Sequence, residues 1–183
     1  GVLMATSIKV FAPASVGNSK CGYDVLGFAI NDPGDIVELT LTDKPKVNIR
    51  VVGNDQIPTN PAKNTCGVAA LKFLEAFAPD KGVDIVLNKQ MPIGSGLGSS
   101  AAGAAATLFG LNQLFDKICK DEKLLAFGLE AEKAACGAGH ADNIAPSLFG
   151  GFILINSYRP LKIKKISAPK NLYCTVVHPD VEI

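Results

Sequence analysis

The sequence predicts an α+β fold in which a mixed or antiparallel sheet packs against helices, and three observations carry that expectation. Strand-like runs concentrate towards both ends of the chain, helical periodicity fills the middle, and one strand-like run, Val83 to Leu87, falls between two helical segments. The regular alternation of strand and helix that marks a doubly wound parallel sheet is missing.

Taken in order, Ile8 to Ala12 is a short β-rich run, and Asp35 to Thr42 alternates apolar and polar residues as a half-buried strand does. Val47 to Val52 is a further strand, set off by Asp43-Lys44-Pro45. After the polar, proline-marked segment Asn54 to Pro61, Asn64 is well suited to cap a helix that carries Val68, Leu71, Leu74 and Phe77 on one face and ends near Pro79. Val83 to Leu87 returns to strand. Ser99 to Phe115, with Leu108, Leu111 and Leu114, and Asp121 to Ala135, with Leu124, Leu125, Phe127 and Leu129, read as a packed pair of helices. Phe152 to Ile155, Ile163 to Ile166 and Tyr173 to Val177 restore strand character.

The 183 residues fit one principal domain over 8–172, with 1–7 an N-terminal extension and 173–183 the start of a connection onward. Apolar residues make up 48% and charged residues 19%, enough to build a core. With 18 basic against 17 acidic residues the net charge is +1, which excludes a strong overall field for nucleic acid or anionic membrane, so an anionic ligand must be met locally. The five cysteines are scattered without a C-x-x-C pair, as expected of reduced, mostly buried thiols in a cytoplasmic protein. No apolar run approaches the roughly 20 residues of a membrane span, and no signal-peptide pattern opens the chain.

The most distinctive segment is Pro92-Ile93-Gly94-Ser95-Gly96-Leu97-Gly98-Ser99-Ser100-Ala101-Ala102, between a strand and a helix start. Such a turn gathers unpaired N–H groups and the positive end of a helix dipole around one small volume, where phosphate is the natural guest. Ser99 and Ser100 could cap the helix, touch phosphate oxygen or ligate a metal. A Walker A loop is excluded, because no lysine lies between Gly94 and Ser100. Three alternatives stay open on local grounds. The segment could be a tight connection. It could be a dinucleotide fingerprint, Gly96-x-Gly98-x-x-Ala101, with Asp116 or Asp121 as the distant acid. It could also be a nucleophile elbow, Gly98-x-Ser100-x-Ala102, with Asp142 and His178 following in order.

In full length this string resembles the phosphate-binding motif of the GHMP small-molecule kinases. Two further strings, Ala12-Pro13-Ala14-Ser15-Val16-Gly17-Asn18 running to Gly22-Tyr23-Asp24-Val25-Leu26-Gly27, and His140-Ala141-Asp142-Asn143-Ile144-Ala145-Pro146 with Gly150-Gly151, resemble the homoserine kinases within that family. The similarity spans Ile8 to about Asp180. It departs at Asn18-Ser19-Lys20-Cys21-Gly22, which leaves Asn18 and Asp24 in place, and the family continues beyond this point into a second domain.

The resemblance implies a fold like ribosomal protein S5 domain 2, with a left-handed βαβ crossover. It also implies transfer of the ATP γ-phosphoryl group to the side-chain hydroxyl of L-homoserine, a step towards threonine. The loop Pro92 to Ala102 would hold the triphosphate, and Ser100, with Ser99 as its rival, would reach Mg²⁺ beside Glu132, with Glu130 the rival carboxylate. Asn18, Asp24, His140 and Asn143 would line the amino-acid pocket, Asp24 facing the ammonium group. Locally, Asn18 and Asp24 fit turns equally well, His140 a packed structural histidine, and Asp142-Asn143 a cap. Binding roles are expected rather than a general base. A homodimer is compatible with the resemblance, and the 54–64 segment is expected to form one wall of the adenine pocket.

Overall fold

The computed structural model describes residues 5–18, 22–92, 94–169 and 171–177. Six strands form one mixed sheet: β1 (Ser7–Val16), β2 (Leu26–Thr42), β3 (Val47–Val52), β4 (Gly82–Asn88), β5 (Phe152–Tyr158) and β6 (Leu161–Ile166). The order across the sheet is β3-β4-β2-β5-β6, with β1 also paired to β2. Only β3 and β4 run parallel; the other pairings are antiparallel. The α+β expectation holds, and the sheet is of the mixed kind.

Strand β2 is the spine. Its first residues pair with β5, its last seven with β4, and β1 runs along it with a register shift between Pro13 and Ser15. Both β1 and β2 are longer than their alternation suggests. In β2 the extra residues include Asn31-Asp32-Pro33-Gly34, which carry turn chemistry yet lie within the strand.

Helices α1 (Thr65–Phe77), α2 (Ser99–Leu114), α3 (Asp121–Cys136) and α4 (Ala141–Phe149) pack together with the sheet. Asn64 caps α1 as expected, its Oδ1 accepting from the Cys66 N–H at 2.9 Å. Helix α2 is buried almost all round, which suits its alanine-rich sequence and puts it at the centre of the molecule. At Gly110 a Cβ would lie 2.5 Å from Leu39 Cδ1, so the glycine lets α2 lie close on the sheet. Phe73 is fully buried beside Phe77 and Phe115. Truncating it to Ala would cost about 3–5 kcal/mol.

Two expectations are corrected. Tyr173 to Val177 is not a strand: these residues carry no regular structure, and Tyr173 is 90% exposed. Asp142-Asn143 is not a cap: His140 takes the N-cap position of α4 and both residues lie within the helix, as does Pro146. Pro146 has no N–H to offer the Asp142 carbonyl. Strand β2 passes against that carbonyl at Gly27, where a Cβ would come within 1.7 Å of it. No helix among the described residues is long and apolar enough to cross a membrane.

Candidate nucleotide and acceptor site

The glycine loop leaves β4 and enters α2. Gly94, Gly96 and Gly98 all have positive φ, at 70°, 71° and 64°. A Cβ on Gly94 or Gly96 would meet nothing within 4 Å, so those two keep the space in front of the loop open. Gly98 differs: a Cβ there would fall 2.3 Å from Ser15 Oγ and 2.8 Å from Asn143 Oδ1. Gly98 is also the residue that caps α2, and among the described residues no side chain caps the helix start. Neither Ser99 nor Ser100 therefore serves as the cap, and the helix start presents its N–H groups unblocked. Ile93 lies outside the described residues.

Ser100 instead donates its Oγ proton to Glu132 Oε1 at 2.5 Å, and Glu132 Oε2 accepts from the His140 N–H at 3.1 Å. Glu132 is 3% exposed. Burial pushes its carboxyl above the usual glutamate range, opposed by the hydrogen bonds from Ser100 and His140. Its rival Glu130 points elsewhere, into an exposed ion pair with Lys72 at 3.0 Å. A buried carboxylate beside a hydroxyl, with no cationic side chain bridged to it among the described residues, is a hard-oxygen donor pair that fits Mg²⁺.

In front of the loop lies a cavity of about 450 Å³, walled on the far side by Ile57, Pro58, Lys63 and Asn64 and floored by Leu87 and Lys89. The 54–64 segment thus forms a wall, in part because Asn64 Nδ2 donates to the Pro58 carbonyl at 2.7 Å. Cys136, one turn beyond Glu132, also lines it, its thiol pushed above the ordinary value by burial.

On the other side of Gly98 a second cluster assembles. Ser15 Oγ donates to Asn143 Oδ1 at 3.0 Å, and the Ser15 N–H to the Leu97 carbonyl at 3.0 Å, which ties β1 to both α4 and the loop. The Asn18 N–H donates to Asp142 Oδ2, and the Asp24 N–H to Asn18 Oδ1, both at 3.0 Å. Asn18 and Asp24 take left-handed backbone angles, φ 56° and 58°, which Asn and Asp tolerate. Tyr158 donates its hydroxyl to the Asp24 carbonyl. Donor atoms of Asp24, His140 and Asp142 all lie within 4.8 Å of one another. Asp142 is fully buried, and its Oδ1 has no hydrogen-bond partner among the described residues.

The structure thus brings Asn18, Asp24, His140, Asn143, Ser100, Glu132 and the described part of the glycine loop into one region. Sequence reasoning missed Ser15, Lys89 and Asp35, and considered Asp142 only as a nucleophile's acid or a cap. The nucleophile elbow is not built. Ser100 bonds a carboxylate rather than an imidazole and sits within a helix, and His178 lies outside the described residues. A dinucleotide fingerprint fails too, since the loop follows a strand whose neighbour β2 is antiparallel.

Residues 64–151 match the family described as the GHMP kinases N terminal domain. The chain is 46% identical over 189 residues to a homoserine kinase of Chlorobium phaeobacteroides (strain BS1), covering 97% of this chain and 59% of that protein. It is 48% identical over 189 residues to a homoserine kinase of Chlorobaculum tepidum, covering 97% and 58%. The crystal structure of a homoserine kinase from Cytophaga hutchinsonii superimposes with TM-score 0.93 at 49% identity, over 98% of this chain and 58% of that one. A Methanococcus jannaschii mevalonate kinase, at 22% identity and TM-score 0.67 over 90% of this chain and 57% of that one, shares the fold. The chain therefore spans a little under three fifths of the length of the curated relatives it matches.

Proposed function

We propose that the chain, whose residues 64–151 match the GHMP kinases N terminal domain, is the nucleotide-binding part of a homoserine kinase, which transfers the γ-phosphoryl group of ATP to the side-chain hydroxyl of L-homoserine to give O-phospho-L-homoserine. One observation carries the reading: an anion-seeking loop and a cation-seeking cluster meet at Gly98, which touches Ser15 and Asn143. The open amides at the start of α2 suit a phosphate donor. The carboxylates of Asp24 and Asp142 suit an acceptor that carries an ammonium group.

In this reading the loop amides orient the triphosphate, and the wall from Ile57 to Asn64 with Leu87 encloses the base. Ser100 Oγ and Glu132 Oε1 would hold Mg²⁺, which would neutralise charge on the phosphate oxygens. Asp24 faces the substrate ammonium from the solvent side, and the buried carboxylate of Asp142, within 4.8 Å of the Asp24 and His140 donor atoms, adds negative charge behind it. Asn143, held by Ser15, presents its carboxamide towards the loop and orients the acceptor hydroxyl. A carboxamide is no base at neutral pH, so the rate comes from alignment and charge neutralisation rather than from a dedicated proton acceptor. Four described cysteines are free, which supports a cytoplasmic setting.

The test is an assay of ADP release by the full-length protein with homoserine, mevalonate and galactose in parallel. Homoserine should be preferred, and preference for another alcohol would refute the substrate assignment. A second reading, nucleotide binding without turnover by the 183-residue chain alone, is supported by the open loop glycines and the cavity in front of them. Calorimetric titration with Mg-ATP beside the same assay separates the two.

A further inference from the structure

Asp35 lies on β2 and Lys89 directly follows β4, where the antiparallel register of Val37 opposite Leu87 and Ile36 opposite Asn88 runs on to place them as the next pair. Asp35 is fully buried and the Lys89 side chain is 5% exposed. The carboxylate is fully used. Oδ2 pairs with Lys89 Nζ, while Oδ1 accepts from the Gln90 N–H at 2.7 Å and the Met91 N–H at 2.9 Å. Lys89 Nζ then donates to the Ser99 carbonyl at 3.1 Å.

We propose that Asp35 is a positioning residue of the nucleotide site, fixing both ends of the glycine loop, the strand exit through the amides of Gln90 and Met91 and the helix start through Lys89 and Ser99. The inference rests on reading this loop as the ATP site. The middle of the loop cannot position itself, because Gly94 and Gly96 have open space where side chains would pack. Its far side is held at Leu97, whose carbonyl accepts from the Ser15 N–H at 3.0 Å, and its near side by Asp35. A buried ion pair adds little stability by itself, so what this one contributes is the direction it gives to the Gln90 and Met91 amides and the Ser99 carbonyl. Lys89, although it lines the cavity, has its ammonium taken by Asp35 and the Ser99 carbonyl. The loop's own amides are left to meet the phosphate.

The experiment uses the full-length protein with Asp35→Asn, Lys89→Gln and the double variant. Asn at 35 can still accept at Oδ1, but turns an NH₂ group towards the Lys89 ammonium. In the double variant the Asn amide can donate to the Gln carbonyl, and the Gln amide to Ser99, which restores the connection without charge. Asp35→Asn should raise KM for ATP by about ten-fold and leave KM for homoserine within about two-fold. The double variant should recover most of that loss relative to Asp35→Asn. Hydrogen exchange at the amides of residues 90 and 91 should speed up in the single variant and slow again in the double. An unchanged KM for ATP, an equal rise in both KM values, or failure of both the single and the double variant to fold would overturn the proposal. If the wild-type protein binds no Mg-ATP, the nucleotide reading itself fails, while hydrogen exchange still reports whether Asp35 holds the loop.

Discussion

Ser100 Oγ and Glu132 Oε1 stand 2.5 Å apart, one on the first turn of α2 and the other on α3. Two helices thereby deliver two oxygen donors to one point beside the glycine loop. Replacing either with Ala in the full-length protein should lower Mg-ATP turnover by at least 10–100-fold, the range seen when even an outer partner of a metal ligand is lost. Raising the Mg²⁺ concentration should restore part of the loss in Ser100→Ala. Steady-state assays at several Mg²⁺ concentrations check this, and unchanged turnover in both variants would refute the metal assignment.

The buried setting of Glu132 makes a pH prediction with a definite sign. Its carboxyl is held above the ordinary glutamate value, chiefly by burial. Mg²⁺ needs the carboxylate, so affinity for Mg²⁺ should rise as pH climbs from the ordinary glutamate value to the raised one. Over the same window the metal-free native protein keeps a proton that the unfolded chain has lost, so its stability should fall with rising pH. Glu132→Gln should flatten both trends. Mg²⁺ titrations and denaturant unfolding across that window measure them separately.

The three loop glycines should respond differently to substitution. Gly98→Ala combines positive φ with an overlap against Ser15 Oγ at 2.3 Å, and should destabilise by about 2–3 kcal/mol. Gly96→Ala meets only the backbone cost, about 1 kcal/mol, and should affect nucleotide binding more than folding. Urea unfolding compared with Mg-ATP titration separates the two, and equal stability losses would show that Gly98 is not packed as described.

How far the site could be read in advance depended on the range of the interaction. The glycine loop was legible because positive φ and an open helix start are local demands written in consecutive residues. Helix α4 was obscured by Pro146, which locally argues against a helix, and the close approach of Gly27 to the Asp142 carbonyl is a contact that no local pattern reveals. The Asp35–Lys89 pair left a usable trace: Asp35 is in phase with buried Val37 and Leu39, and Lys89 with buried Val83, Ile85 and Leu87. Opposite charges in phase with the buried faces of two strands would have suggested the pair, had their adjacency been known. Asp142 left no such trace, because its burial is imposed by Gly17 and the 13–18 segment, far away in sequence.

Asp142 therefore supports the sharpest test of the acceptor site. Its Oδ2 accepts from the Asn18 N–H and its Oδ1 has no partner among the described residues, in a position where neither oxygen reaches water. A buried carboxylate left partly unpaired is costly, and an ammonium group bound in front of it would offset its charge across a short distance. Asp142→Asn keeps the shape and one acceptor but removes the charge. In the full-length protein it should raise KM for homoserine by about 30-fold or more, the scale on which losing one partner of a buried charged hydrogen bond is felt. Thermal stability of the ligand-free protein should hold or rise, since an uncompensated buried charge has been removed. KM for ATP should stay near its original value. Compared against 4-hydroxybutanoate, which lacks only the amino group, the wild-type protein should strongly favour homoserine and the variant should lose most of that preference. A variant that keeps the full preference would place the ammonium elsewhere, and one that loses ATP binding in parallel would make Asp142 a structural support of α4 rather than a determinant of acceptor choice.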